Sequence, residues 1–188
     1  LSDEVADQYK YLTEDLGIKV EYINDGDAYM KLNAKGESVP DPAAMMRDII
    51  ENKTLKVRGS AQDFALDPHP ILSVQANDMF RAVHDFFGHA GSGRGFMADG
   101  EEAAWVAHSQ MFSPLARRAM TTETRGQNSY YNFFDPERKQ FAPQKAALLP
   151  DEFVALPTET AALESRAGKT NTFIGLAANA LNDFKDEL

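Results

Sequence analysis

Apolar positions at the start of the chain recur at helical spacing: Val5, Tyr9, Leu12 and Leu16. That pattern predicts a helix over 3–16 with Ser2 as its cap. The period then changes to two in Ile18-Lys-Val-Glu-Tyr-Ile23, the mark of a half-buried strand. Asn24-Asp-Gly-Asp27 is turn chemistry, and Ala28-Tyr-Met-Lys-Leu32 is the expected hairpin partner of that strand. Asp41-Pro42 supplies an N-cap and a first helical residue for a helix running to about Asn52. Thr54–Arg58 reads as a short strand, and Asp67-Pro-His-Pro70 as a stiff connection with two fixed φ angles.

The middle of the chain is helical in pattern. Met79, Val83, Phe86 and Phe87 form an apolar stripe over about 73–87, with Gly88 as a natural stop. A glycine-rich loop, Gly91-Ser-Gly-Arg-Gly95, leads to a second helix over about 101–112. Ser113-Pro114 opens a third, because proline inside one continuous helix costs about 3 kcal/mol. Two further helices are expected near 158–166 and 172–186. The expected fold is α+β: a small antiparallel sheet near the N-terminus and a mainly helical body. It reads as a single domain, 1–188, with an N-terminal α/β part over 1–72, helices carrying a metal site over 73–134, and a helical tail over 135–188. The tail stripe Phe173, Leu176, Ala180, Leu181 and Phe184 reads first as core and second as a face for a homo-oligomer.

Composition narrows the functions open to such a chain. Of 188 residues, 43% are hydrophobic and 26% charged, which is ordinary for a folded protein. The formal net charge of −10 argues against partners such as nucleic acid or an anionic membrane, which demand a basic surface. Cysteine is absent, so disulfides, thiolate nucleophiles and Cys-ligated metals are excluded. No apolar run nears the roughly 18 residues of a membrane span, and no signal-peptide core is visible, so a cytoplasmic location is expected. The final Lys185-Asp-Glu-Leu188 matches an endoplasmic-reticulum retrieval signal, read here as coincidence.

The chemistry gathers around histidine. All four, His69, His84, His89 and His108, fall within one 40-residue window. On the helix at 101–112, residues Glu101, Ala104, Trp105, His108, Met111 and Phe112 share an arc of about 120°, and Glu101 and His108 are only about 20° apart. A carboxylate and an imidazole on the face meant for burial each cost several kcal/mol without a partner. Either they bond to one another or to backbone, or they line a cavity and bind metal. His84 and His89 would diverge by about 140° on one straight α-helix. Gly88 between them lets the chain leave the helix, so that His89 can swing back. Asp85 is then a partner for an imidazole N–H, or a general base. Glu123 lies in the polar run Thr121–Ser129, ahead of Tyr130, Tyr131, Phe133 and Phe134, which reads as a cleft wall. Arg125 could clamp an anionic group of a substrate, and Gln127 and Asn128 could orient an amide or hydroxyl. Several other motifs fail. The spacing is not that of a His-Glu-x-x-His zinc helix, the glycine loop has no strand before it, and there is no Gly-x-Ser-x-Gly elbow.

The segment His84-Asp-Phe-Phe-Gly-His89 resembles the His-Glu-x-x-Gly-His iron motif of the aromatic amino acid hydroxylases, with Asp85 where that family has glutamate. The resemblance implies a 2-His-1-carboxylate site for Fe(II) with His84, His89 and Glu123 as ligands. The stretch 84–128 is also similar to bacteriophage-encoded proteins of unassigned function, which implies an origin in a phage or its bacterial host. The leading expectation is a metal-dependent enzyme: a mononuclear non-haem Fe(II) oxygenase-type site acting on a small-molecule substrate. Its metal ligands are His84, His89 and Glu123, with Glu101 as the second choice of carboxylate. His108 and Asp85 would orient ligands or move protons, and Arg125 would hold substrate. A two-metal variant adds Glu101 and Glu123 together with His108. The same ligands also suit a zinc-dependent hydrolase. A reading from another class is a phage accessory or structural module whose polar cluster only fixes the fold.

Overall fold

Helix α1 (Ser2–Lys10) buries Val5 and Gln8 and runs on into a wider π-helical turn, Tyr11–Asp15, that buries Leu12. The Leu16 amide closes that turn by donating to the Tyr11 carbonyl, five residues back, at 3.0 Å. Ser2 is the first helical residue rather than the cap, which is Leu1 without a side-chain bond. The computed structural model describes residues 1–23, 28–59, 69–134, 137, 140–143 and 146–156. The expected tail helices, the stripe from Phe173 to Phe184, and Asp67 and Pro68 of the proline-stiffened connection lie outside them. The chain divides into two units, Leu1–Leu149 and Pro150–Leu188. In the second, the described residues include one short helix, α7 (Asp151–Val154).

The α+β class stands, and the few strands among the described residues lie near the N-terminus. Strand β1 (Lys19–Ile23) does not form the expected hairpin with β2 (Met30–Leu32). It pairs in parallel with β4 (Thr54–Arg58), Lys19 opposite Thr54 and Ile23 opposite Arg58. The antiparallel pair is instead β2 with β3 (Ser38–Pro40). A parallel pair needs a long crossover, and here it holds β2, β3 and helix α2 (Pro42–Asn52). Alternation identified β1 as a strand, but its partner was decided by packing. Leu55 and Val57 of β4 are buried, and α2 covers β4 with Met45 and Ile49. Asp41 caps α2 as expected, its carboxylate accepting from the Ala44 amide at 3.3 Å.

The helical body positions the site. Helix α3 (Val74–Val83) is capped by Ser73, whose hydroxyl accepts from the Ala76 amide. It packs along α1 and continues without a break into a π turn, His84–Ala90. Helix α4 (Ala98–Ser109) lies along that π turn. Ser113 and Pro114 then open α5 (Pro114–Thr121) as the sequence predicts. The path goes on as a helix through a π turn Thr122–Gly126, α6 (Gln127–Ser129) and a last π turn Tyr130–Phe134. Trp105 is fully buried, and its indole N–H donates to Thr121 Oγ1 at 2.9 Å, so its polar atom is satisfied. The expected apolar face holds at Ala104, Trp105 and His108 of α4 and at Phe112 just past its end. Met111 lies beyond the end of the helix and is 41% exposed.

Candidate metal centre

Gly88 does not stop the helix, and His89 does not swing back from a loop. The π turn solves the same problem by other means. Hydrogen bonds from residue i to i+5, such as Gly91 N–H to the Phe86 carbonyl, widen the coil. Residues five apart then face the same way, whereas α spacing would set them about 140° apart. The His84 and His89 rings come to 5.2 Å between centroids, edge to face. Gly88 is needed for a different reason. A Cβ there would stand 3.0 Å from the Ala104 carbonyl oxygen and 3.2 Å from His84 Cε1. Its absence admits α4, and α4 brings Glu101.

The Glu101 carboxylate faces both rings, with Oε1 at 3.5 Å from His89 Nε2 and Oε2 at 3.9 Å from His84 Nε2. One donor atom from each of the three residues lies within 4.8 Å of the others. Burial raises the Glu101 carboxyl, and the two facing imidazoles overcome that and hold it at about 2. His89 is pushed down by burial and pulled up further by Glu101, with a net rise.

The hydrogen-bond network assigns the ring tautomers. His89 Nδ1 lies 3.0 Å from the Gly95 carbonyl, which can only accept, so Nδ1 carries a hydrogen. That carbonyl can approach because Gly100 has no Cβ, which would otherwise collide with it. His84 Nδ1 meets His108 Nδ1 at 3.2 Å, and His108 Nε2 meets Gln8 Oε1 at 2.7 Å. Gln8 Nε2 donates to the Met111 carbonyl at 3.3 Å, so its oxygen is the atom that faces His108. His108 therefore donates from Nε2 and accepts at Nδ1, and His84 donates from Nδ1. Burial and the two neighbouring imidazoles push His108 well below the usual histidine range, so it is neutral. The result is that His84 Nε2 presents a lone pair. It is buried and has no hydrogen-bond partner. His89 Nε2, when neutral, presents another, and both converge on a carboxylate. An ion bound at about 2.1 Å by each donor holds them roughly 3–3.4 Å apart. Small side-chain rotations reach that from the distances found. The site therefore fits a cation held by two imidazoles and one carboxylate.

The other expected residues are placed as follows. Glu123 is not with the two histidines of the motif. Its Oε1 lies 3.2 Å from His69 Nε2, and its Oε2 accepts from Gln127 Nε2 at 2.8 Å. His69 Nδ1 accepts from the Ile71 and Leu72 amides, so its Nε2 carries hydrogen and is no metal ligand in the neutral ring. Both His108 nitrogens are hydrogen-bonded, so it offers no free donor atom as it stands. Arg125, expected to hold substrate, is engaged within the protein. It pairs with both carboxylate oxygens of Glu102, at 2.8 and 2.9 Å, and its guanidinium lies 4.2 Å from the Trp105 ring centre. Asp85 lines the cavity next to His84, and burial raises its carboxyl. That cavity has a volume of about 940 Å3. His84, Asp85, Glu101, His69, Glu123 and Gln127 all contribute to its wall, whereas His89 does not. Gln8 was missed in the sequence. The available signal was a polar residue on the stripe between Val5 and Leu12.

The chain matches no family model, no curated protein and no solved structure. No helix among the described residues is long and apolar enough to cross a membrane.

Proposed function

We propose that this chain is a mononuclear non-haem iron enzyme in which His84, His89 and Glu101 hold one Fe(II) beside a cavity for a small-molecule substrate. The observation that carries the reading is the convergence of acceptors. Two imidazole nitrogens and a carboxylate face one another in a largely buried site, with the outer nitrogens tied down by His108 and Gly95. Buried lone pairs directed at one another repel unless a proton or a cation lies between them. The donor set is the 2-His-1-carboxylate facial triad that leaves coordination positions open. Bound iron would supply oxygen activation. The chain's own residues would do the rest. His108 and the Gly95 carbonyl fix the ligand rings, the cavity wall receives the substrate, and Asp85, whose carboxyl burial raises, donates or takes a proton.

Asp85 also favours a second reading with the same ligands. Zinc in this site would acidify a bound water towards pKa ~7, and the Asp85 carboxyl in the same cavity wall would take the proton, as in a hydrolase.

The test is metal content per chain, by mass spectrometry, on full-length untagged protein purified without oxygen. One equivalent of iron, with oxygen-dependent turnover, supports the first reading. One equivalent of zinc supports the second. No metal, and none taken up from added Fe(II) or Zn(II), would sink both and leave the cluster a structural one.

A further inference from the structure

Gln8 and His108 lie 100 residues apart in sequence, on α1 and α4, yet they meet at 2.7 Å in the core. His108 is completely buried, with the Phe80, Phe87 and Phe112 rings around it at centroid distances of 6.2, 6.1 and 4.8 Å. No carboxylate is hydrogen-bonded to it among the described residues. A charged ring there would be costly, so it is neutral and has one hydrogen to place. Two placements are open. In one, hydrogens run His84 Nδ1 to His108 Nδ1, His108 Nε2 to Gln8 Oε1, and Gln8 Nε2 to the Met111 carbonyl. In the other the whole chain reverses. The Gln8 amide then turns its oxygen on the Met111 carbonyl, two acceptors 3.3 Å apart. In return, His84 Nε2 gains a hydrogen pointed at Glu101, but at 3.9 Å that is too long for a hydrogen bond. The reversed chain loses one bond and gains none.

We infer that Gln8 and His108 are positioning residues that hold His84 in its Nδ1–H tautomer, leaving Nε2 as a free donor for metal. The anchor is the Met111 carbonyl, which only accepts and so sets the direction of every link. This rests on His84 being a ligand. Its first consequence, the tautomer of the metal-free protein, does not. Outer partners of this kind change metal affinity by about 10–100-fold.

The test uses full-length protein labelled with 15N-histidine. Long-range 1H–15N correlations on the metal-free protein read each ring's tautomer, and titration with Fe(II) or Zn(II) against a competing chelator reads affinity. The wild-type chain should show His84 protonated at Nδ1. Gln8→Leu removes the anchor, so His84 should shift to the Nε2–H form and metal affinity should fall at least tenfold. Gln8→Glu, as the neutral acid favoured by burial, keeps an acceptor facing His108 and an O–H donor for the Met111 carbonyl, so tautomer and affinity should stay near wild type. A merely structural role predicts that both variants lose melting temperature with the His84 tautomer unmoved, and that result overturns the inference. So does a wild-type His84 protonated at Nε2. If the tautomers are as stated but no metal binds, the relay stands and the metal reading fails.

Discussion

Replacing Gly88 by alanine tests the packing that assembles the site. Helix propensity alone favours the change by about 1 kcal/mol, since Gly88 lies inside a continuous helical path. The structure opposes it. The new methyl would stand 3.0 Å from the Ala104 carbonyl oxygen, 3.1 Å from Ala104 Cβ and 3.2 Å from His84 Cε1. Two of these atoms belong to the α4 backbone and its first side-chain carbon, which cannot rotate away. Overpacking of this kind costs about 1–3 kcal/mol. The net effect should be a loss of about 1 kcal/mol, or ~2–4 °C in melting temperature for a chain of this size. Relief requires α4 to move away from the π turn by a few tenths of an ångström. Glu101 sits one turn before Ala104 on that helix, so metal affinity should fall more than stability does. Gly91→Ala is the internal control. Its methyl would meet only the Phe86 carbonyl, at 3.7 Å, in ordinary α conformation, so it should be neutral or stabilise by up to about 1 kcal/mol. Calorimetry and a metal titration on both variants read the outcome. A Gly88→Ala protein that melts higher than wild type and binds metal equally well would refute the close approach of α4.

Three further outcomes are expected. Glu101→Gln should abolish stoichiometric metal uptake, while Glu123→Gln, which alters only the His69 and Gln127 contacts, should retain it; metal content per chain distinguishes the two. Thr121→Val removes the acceptor for the buried Trp105 N–H and should destabilise by about 1–3 kcal/mol in denaturant unfolding. Glu4 is held below the usual glutamate value of 4.5 by its bonds to the Ser113 hydroxyl and amide. A carboxyl lowered in the folded state contributes stability above its unfolded value and loses it as pH falls. Wild-type stability should therefore drop more steeply than that of Glu4→Gln below about pH 4.5, as read by melting temperature against pH.

What the sequence could show was the inventory rather than the geometry. The pair His84 and His89, the carboxylate Glu101 and the buried His108 are all visible as residue types on apolar faces. The device that unites them is a π turn, which leaves no period of its own in five to seven residues. Gly88 was legible as a special position, but the helix-stop rule misread a close approach of two helices as a terminus. Glu123 was preferred over Glu101 from a motif resemblance, and distance along the chain says nothing about which carboxylate α4 carries to the π turn. The polar run 121–129 was expected to form a cleft wall, and Glu123, Thr124, Gln127 and Asn128 do line the cavity. Arg125, in the same run, faces the other way towards Glu102 and Trp105. Strand β1 was legible and its partner was not, because alternation records which face is buried and not which strand lies beside it.

The π turn at His84–Ala90 also bears on how such a site is found by pattern. An α-helix places residues four apart on one face, and a π turn does the same for residues five apart. The His-x-x-x-x-His spacing here is thus the geometric equivalent of His-x-x-x-His on an ordinary helix, with one residue inserted. Any search keyed to a fixed spacing would treat the two as unrelated. Histidine pairs of this inserted kind belong in the same geometric class as their α-helical counterparts, and here the glycine one residue before the second histidine faces the neighbouring helix α4.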